Sequence, residues 1–148
     1  MFQSLLEKKL QDTVLLTELM WRQREIENYL CLEEVLLSYA RSDQPDDVFG
    51  HAEMPRREQI MRDSITEVAA AIEKLGRPAP WSPDIKAGDE FLDPIFMEYF
   101  KKLKLPNLMR KTDYHVLARL VPQEKIDPEI IEKLDAIVAV AKKAKPQE

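Results

Sequence analysis

The first residue able to break a helix in this chain is Pro45, so residues 4–40 contain neither glycine nor proline. Ser4-Leu5-Leu6-Glu7 has the form of a capping box, in which the serine oxygen accepts one free amide and the glutamate reaches back to another. Apolar residues follow at Leu6, Leu10, Val14, Leu15, Leu19, Ile26, Tyr29, Leu36 and Ala40, mostly three or four apart. This spacing predicts one long N-terminal helix, about 55 Å at a rise of 1.5 Å per residue. The polar stretch Arg22-Gln23-Arg24-Glu25 interrupts the stripe and is where a bend or the edge of cover is expected. Leu16, Met20, Trp21, Leu30, Leu32, Val35 and Leu37 fall outside the stripe, so the helix is apolar on several sides. A helix of that kind needs cover from more than one neighbour.

The rest of the chain is punctuated by proline. Residues 42–51 are polar and acidic and read as a loop, after which Pro55 is expected to open a second helix. Ile60, Ile65, Val68, Ile72 and Leu75 give that helix a buried face, and Gly76 followed by Pro78 ends it. Arg77 to Pro83 carries three prolines and reads as extended chain. Asp93-Pro94 marks a third helix, with Ile95, Tyr99 and Leu103 on one side, Phe96 and Phe100 beside them, and a stop at Pro106. Thr112 or Asp113 is expected to cap a short fourth helix through Val116, Leu117 and Leu120, closed by Pro122. Asp127-Pro128 opens a fifth, with Ile130, Leu134, Ile137 and Ala141 in line. Its acids, Glu129 and Glu132, come early and its lysines, Lys142, Lys143 and Lys145, late, which suits the helix dipole. No stretch alternates with a period of two. The expected fold is all-α: a bundle of about five helices with a long N-terminal helix, one domain over 1–145, and a frayed tail at 146–148.

Composition narrows the function classes. A net charge of -5 keeps such a chain soluble and disfavours DNA or an anionic membrane as partner. No apolar run approaches the ~18 residues of a membrane span. The amphipathic start already holds an acid, unlike a secretory signal, so a cytoplasmic location is expected. Cys31, the single cysteine, has no internal partner and sits between Leu30 and Leu32 as a small buried hydrophobe.

Several motifs could carry chemistry. Carboxylate-bridged metal sites in helical bundles use Glu-x-x-His pairs, but Val48 and Thr112 stand three residues before the two histidines. The acidic segment with Asp43, Asp46, Asp47, His51 and Glu53 lacks the alternate-position acids and the glycine of a calcium loop. No metal and no cofactor are therefore expected. Arg77-Pro78-Ala79-Pro80-Trp81-Ser82-Pro83 matches the Arg-x-x-Pro-x-x-Pro form of an SH3 ligand, against the simpler reading that Trp81 plugs the helices. Trp21 reads as a core aromatic or, beside Met20, as the anchor of an interface. A small-ligand pocket between helices near Trp21, Phe96 and Tyr99 is a further option.

Arg110 and His115 stand in Arg110-Lys111-Thr112-Asp113-Tyr114-His115. This Arg-x4-His spacing resembles the signature of HEPN-type ribonucleases, small helical proteins that often dimerise. The resemblance implies metal-independent RNA cleavage, with the guanidinium steadying a phosphate and the imidazole moving a proton.

The leading expectation is a non-enzymatic interaction or accessory protein that presents helix faces and pairs with a second copy or another protein through the first helix. Leu16, Met20, Trp21, Leu30 and Leu37 are its expected interface residues. The alternative is the ribonuclease using Arg110 and His115, and RNA is a partner only in that case.

Overall fold

The computed structural model describes residues 17–43 and 47–144. Five α-helices occur among them: α1 (Glu33–Ser42), α2 (Val48–Lys74), α3 (Asp93–Leu103), α4 (His115–Ala118) and α5 (Pro128–Lys143). The all-α class is as expected, and no strand occurs among the described residues. The chain divides into two compact units, one of Arg22–Ile126 and one of Met1–Trp21 with Asp127–Glu148.

The long helix lies elsewhere than expected. Residues 17–21 have no regular structure, Ile26–Leu30 form a 3-10 turn, and α-helix begins only at Glu33. The reason is a set of hydrogen bonds that reach some sixty residues along the chain. The Arg24 amide donates to the Pro83 carbonyl at 2.9 Å, and its guanidinium donates to the Asp84 carbonyl at 3.1 Å. Buried Asn28 accepts from the Glu25 amide at 2.9 Å and donates to the carbonyls of Ser82 and Ile85 at 3.2 and 3.1 Å. The Gly88 amide donates to the Glu25 carboxylate at 3.1 Å. The polar interruption at Arg22–Glu25 is thus a docking strip for residues 82–88, and Leu32 is left extended before α1. Helix propensity is a weak prior that such tertiary bonds override. The capping box at Ser4 and the stripe through Leu15 lie outside the described residues.

The longest helix is α2, which starts seven residues before Pro55 rather than at it. Asp47 captures the Gly50 amide at 2.7 Å and so fixes the start. Pro55 then sits inside the helix, where its missing N–H leaves one turn without its hydrogen bond. The helix ends as expected: Gly76 takes φ +65°, its amide donates to the Glu73 carbonyl at 2.9 Å, and the Arg77 amide donates to the Ile72 carbonyl at 3.2 Å. This pair of bonds satisfies carbonyls that the last turn leaves free.

A single π-helical turn, Ala87–Leu92, leads directly into α3, so Asp93 is helical and does not cap. The wider turn lets Phe91 and Leu92 bury alongside Ile95, Phe96, Tyr99 and Phe100. These side chains, with Val35, Leu36, Leu37 and Ala40 of α1 and Met61, Ile65, Val68 and Ile72 of α2, form the core of the larger unit. Aromatic rings meet edge-on within it, Tyr39 with Phe96 at 5.2 Å and Tyr99 with Phe100 at 5.1 Å. Between α3 and α5 the chain makes short turns: a 3-10 turn at Lys111–Asp113, then α4, then a 3-10 turn at Gln123–Lys125.

Candidate interaction surface

The most unusual surface is on α5, the described helix of the smaller unit. Asp127 caps it by accepting the Glu129 amide at 2.9 Å, and Pro128 fills the first turn, as the sequence signals. Its only fully buried residue is Glu129, at 2% exposure, with the Lys133 ammonium 4.0 Å from its carboxylate one turn on. Ile131, Leu134, Ile137, Val138 and Val140 are all between 42% and 54% exposed. The helix is therefore partly inverted: an acid and its lysine are covered and Ile130 is half-buried, while the other large aliphatic side chains are about half exposed. Ordinary surface helices do the reverse. Ile131, Leu134, Ile137 and Val138 lie together on one side, whereas Val140 stands in line with Glu129 and Lys133; a contiguous apolar strip of this kind marks a binding surface far more often than scattered exposed residues do.

The expected interface residues fare differently from this. Leu37 is buried in the core of the larger unit, and Leu30 is half-buried against that core. Met20 and Trp21 are exposed on a stretch without regular structure, and Leu16 lies outside the described residues. The premise of an unbroken rod fails over the described residues 17–40, because residues 17–21 have no regular structure and residues 22–32 are held by hydrogen bonds to residues 82–88 within the larger unit. Sequence reasoning missed Ile131, Val138 and Val140. The available signal was the doubling Ile130-Ile131 and Ile137-Val138, which makes α5 apolar over more than one stripe.

A concavity of about 880 Å³ runs along the C-terminal half of α2, lined by Thr66, Ala69, Ala70, Arg77 and Trp81. The Trp81 ring stands edge-on against Phe91 at 4.8 Å, and the residue is 45% exposed, so it is a partial plug. The Ser82 amide donates to the Ala79 carbonyl at 2.9 Å, closing a turn in the middle of the Arg-x-x-Pro-x-x-Pro stretch. A peptide bound as a polyproline helix is extended throughout, so this segment is not preformed as an SH3 ligand.

A smaller cavity of about 400 Å³ is lined by Tyr39, Asp43, Met109 and Leu120. Burial pushes the Asp43 carboxyl above the usual carboxylate range, and Arg57 and the Tyr39 hydroxyl pull it back only in part. Arg57 donates to the Asp43 carbonyl at 2.5 Å and to its carboxylate at 3.2 Å. These bonds tie the end of α1 to α2. Phe96 and Tyr99, expected near a ligand pocket, are fully buried by ring contacts with Tyr39.

No family model, no curated protein and no solved structure matches this chain.

The remaining sequence candidates fall on different local elements. Arg110 is extended, with its amide donating to Asp113, whereas His115 opens α4 with its Nδ1 3.0 Å from the Thr112 carbonyl. The two residues do not share a helix, and both are exposed. Of the acidic segment, Asp43 is engaged by Arg57, Asp47 is the cap of α2, His51 and Glu53 lie within α2, and Glu53 pairs with Arg56 at 2.7 Å. Asp46 is outside the described residues. Among those described, no three potential metal ligands cluster, and no helix is long and apolar enough to cross a membrane.

Proposed function

We propose that this chain is a non-enzymatic interaction protein that acts by presenting the outward apolar face of α5 to a protein partner. The observation behind the reading is the partial inversion of that helix: Glu129 is covered, while Ile131, Leu134, Ile137 and Val138 are about half exposed. Burying such a face on a partner returns roughly 25 cal/mol per Å² of apolar surface, a gain the helix forgoes while the face meets water.

Site-specific labelling tests it. A Leu134→Cys variant reacts with maleimide, in protein diluted until it is monomeric, at close to the rate of a thiol in an unstructured peptide. The native Cys31 does not interfere, because burial pushes its thiol up to about 12. Leu134→Glu, in the same dilute regime, leaves stability within about 0.5 kcal/mol, as surface substitutions do. Strong protection of the thiol in the dilute monomer overturns the proposal, as does a loss above about 2 kcal/mol in the Glu variant, since either places the face inside the chain's own core.

A further inference from the structure

We propose that the concavity along α2 binds an aromatic amino acid as its zwitterion, at a site that does not involve α5. Every residue that lines it belongs to the larger unit, and a volume of about 880 Å³ is within the range of small-molecule pockets.

The charges decide the class of ligand. The charged side chains that line the concavity are Glu33, Arg62, Glu73 and Arg77. Arg62 is already satisfied, because its guanidinium donates to the Glu33 carboxylate at 3.2 Å and to the Glu58 carboxylate at 2.9 Å. Glu73 and Arg77 are both exposed, and among the described residues neither side chain has a hydrogen bond or an ion pair, with the other or with any third group. They stand on either side of Gly76, where α2 has ended and the backbone turns at φ +65°. A simple anion would be drawn by Arg77 and opposed by Glu73, and a simple cation the reverse. A ligand with an ammonium and a carboxylate on one carbon answers both.

The rest of the lining sets the side chain of that ligand. Ala69 and Ala70 are small, so a flat group can approach the α2 backbone, and buried Ile65 and Ile72 supply apolar surface beside them. Pro80 and Trp81 line the concavity from the turn that follows the helix. The Trp81 ring meets Phe91 edge-on and the residue is still exposed, which leaves indole surface for a second aromatic ring. Exposed ion pairs are weak, so a Kd of about 1 mM is expected.

Trp81 fluorescence reads the site directly in a Trp21→Phe background, where it is the sole tryptophan. Titration with L-phenylalanine changes its emission along a saturating curve. L-Phenylalaninamide, which lacks the carboxylate, and N-acetyl-L-phenylalanine, which lacks the ammonium, each bind about two- to fivefold more weakly, the worth of one exposed ion pair. Arg77→Gln makes phenylalanine bind no better than its amide, and Glu73→Gln makes it bind no better than its N-acetyl form. Ala70→Trp, at an exposed position, fills the concavity and abolishes the response. Circular dichroism verifies that each variant is folded, as surface substitutions should be. Absence of a saturable change overturns the inference. Equal binding of the three compounds does so too, since a merely apolar groove does not read charge. A preference that survives both Arg77→Gln and Glu73→Gln puts the ligand elsewhere and likewise overturns it. None of these outcomes touches the docking role of α5, which the Leu134 variants read.

Discussion

Replacing Asn28 by alanine removes one side chain that holds three backbone groups. Its oxygen accepts from the Glu25 amide at 2.9 Å, and its nitrogen donates to the carbonyls of Ser82 and Ile85 at 3.2 and 3.1 Å. The orientation of the amide is fixed by these partners, since one is a donor and two are acceptors. Each such bond contributes about 1 kcal/mol net, and a buried group left unpaired costs about 1–3 kcal/mol. The Ile85 carbonyl bond is fully buried, whereas the other two are partly open to water, which will replace some of what is lost. The expected loss is about 2–4 kcal/mol, a large share of the roughly 5–15 kcal/mol that holds a domain together. Urea unfolding followed by far-ultraviolet circular dichroism measures it, with the midpoint falling and the slope unchanged. Asn28→Asp sharpens the argument. It retains the acceptor for Glu25 but brings a carboxylate against two carbonyls, with Glu25 and Glu27 nearby in sequence, so it should be no more stable than the alanine variant. An alanine variant within about 1 kcal/mol of the native chain would refute the claim that long-range bonds, rather than local preference, end the helix before Glu33.

Other substitutions test separate parts of the fold. Lys104 ends α3 with φ 57° and ψ 38°, a left-handed conformation that costs a side-chain-bearing residue about 1 kcal/mol. Lys104→Gly is therefore expected to stabilise by about 0.5–1 kcal/mol in the same urea assay, and a destabilised variant would contradict it. Pro55→Ala restores the amide missing inside α2 and should stabilise by about 1 kcal/mol or more, whereas a helix that truly began at Pro55 would gain nothing. Alkaline pH should weaken the fold, because burial raises the Cys31 thiol from 9.0 to about 12 and the Tyr99 hydroxyl from 10.0 to about 12. The folded chain keeps protons that the unfolded chain releases, so stability is complete below pH 9 and declines as pH climbs through the interval up to 12. Urea midpoints at pH 8, 10 and 11 measure the decline, and Cys31→Ala should make it shallower; a flat profile would show that these groups are not buried as described.

Sequence alone determined the helix boundaries that carry their own local signals. Asp127-Pro128 starts α5, and Gly76 stops α2 through a positive φ that glycine adopts without strain. It likewise determined which faces of α2 and α3 turn inward, since the spacing of Ile65, Val68 and Ile72 or of Ile95, Phe96 and Tyr99 follows from 3.6 residues per turn. These signals act within a few residues, so they survive in a linear reading. Tertiary structure alone decided the rest. Residues 22–32 leave the helix because their partners at 82–88 lie some sixty residues away, beyond any periodicity. The π-helical turn before α3 answers to the packing of Phe91 and Leu92, not to Asp93-Pro94. Periodicity gave α5 an apolar stripe, but which side of that helix is covered is a property of what surrounds it. Only the folded chain shows Glu129 turned in and Leu134 turned out.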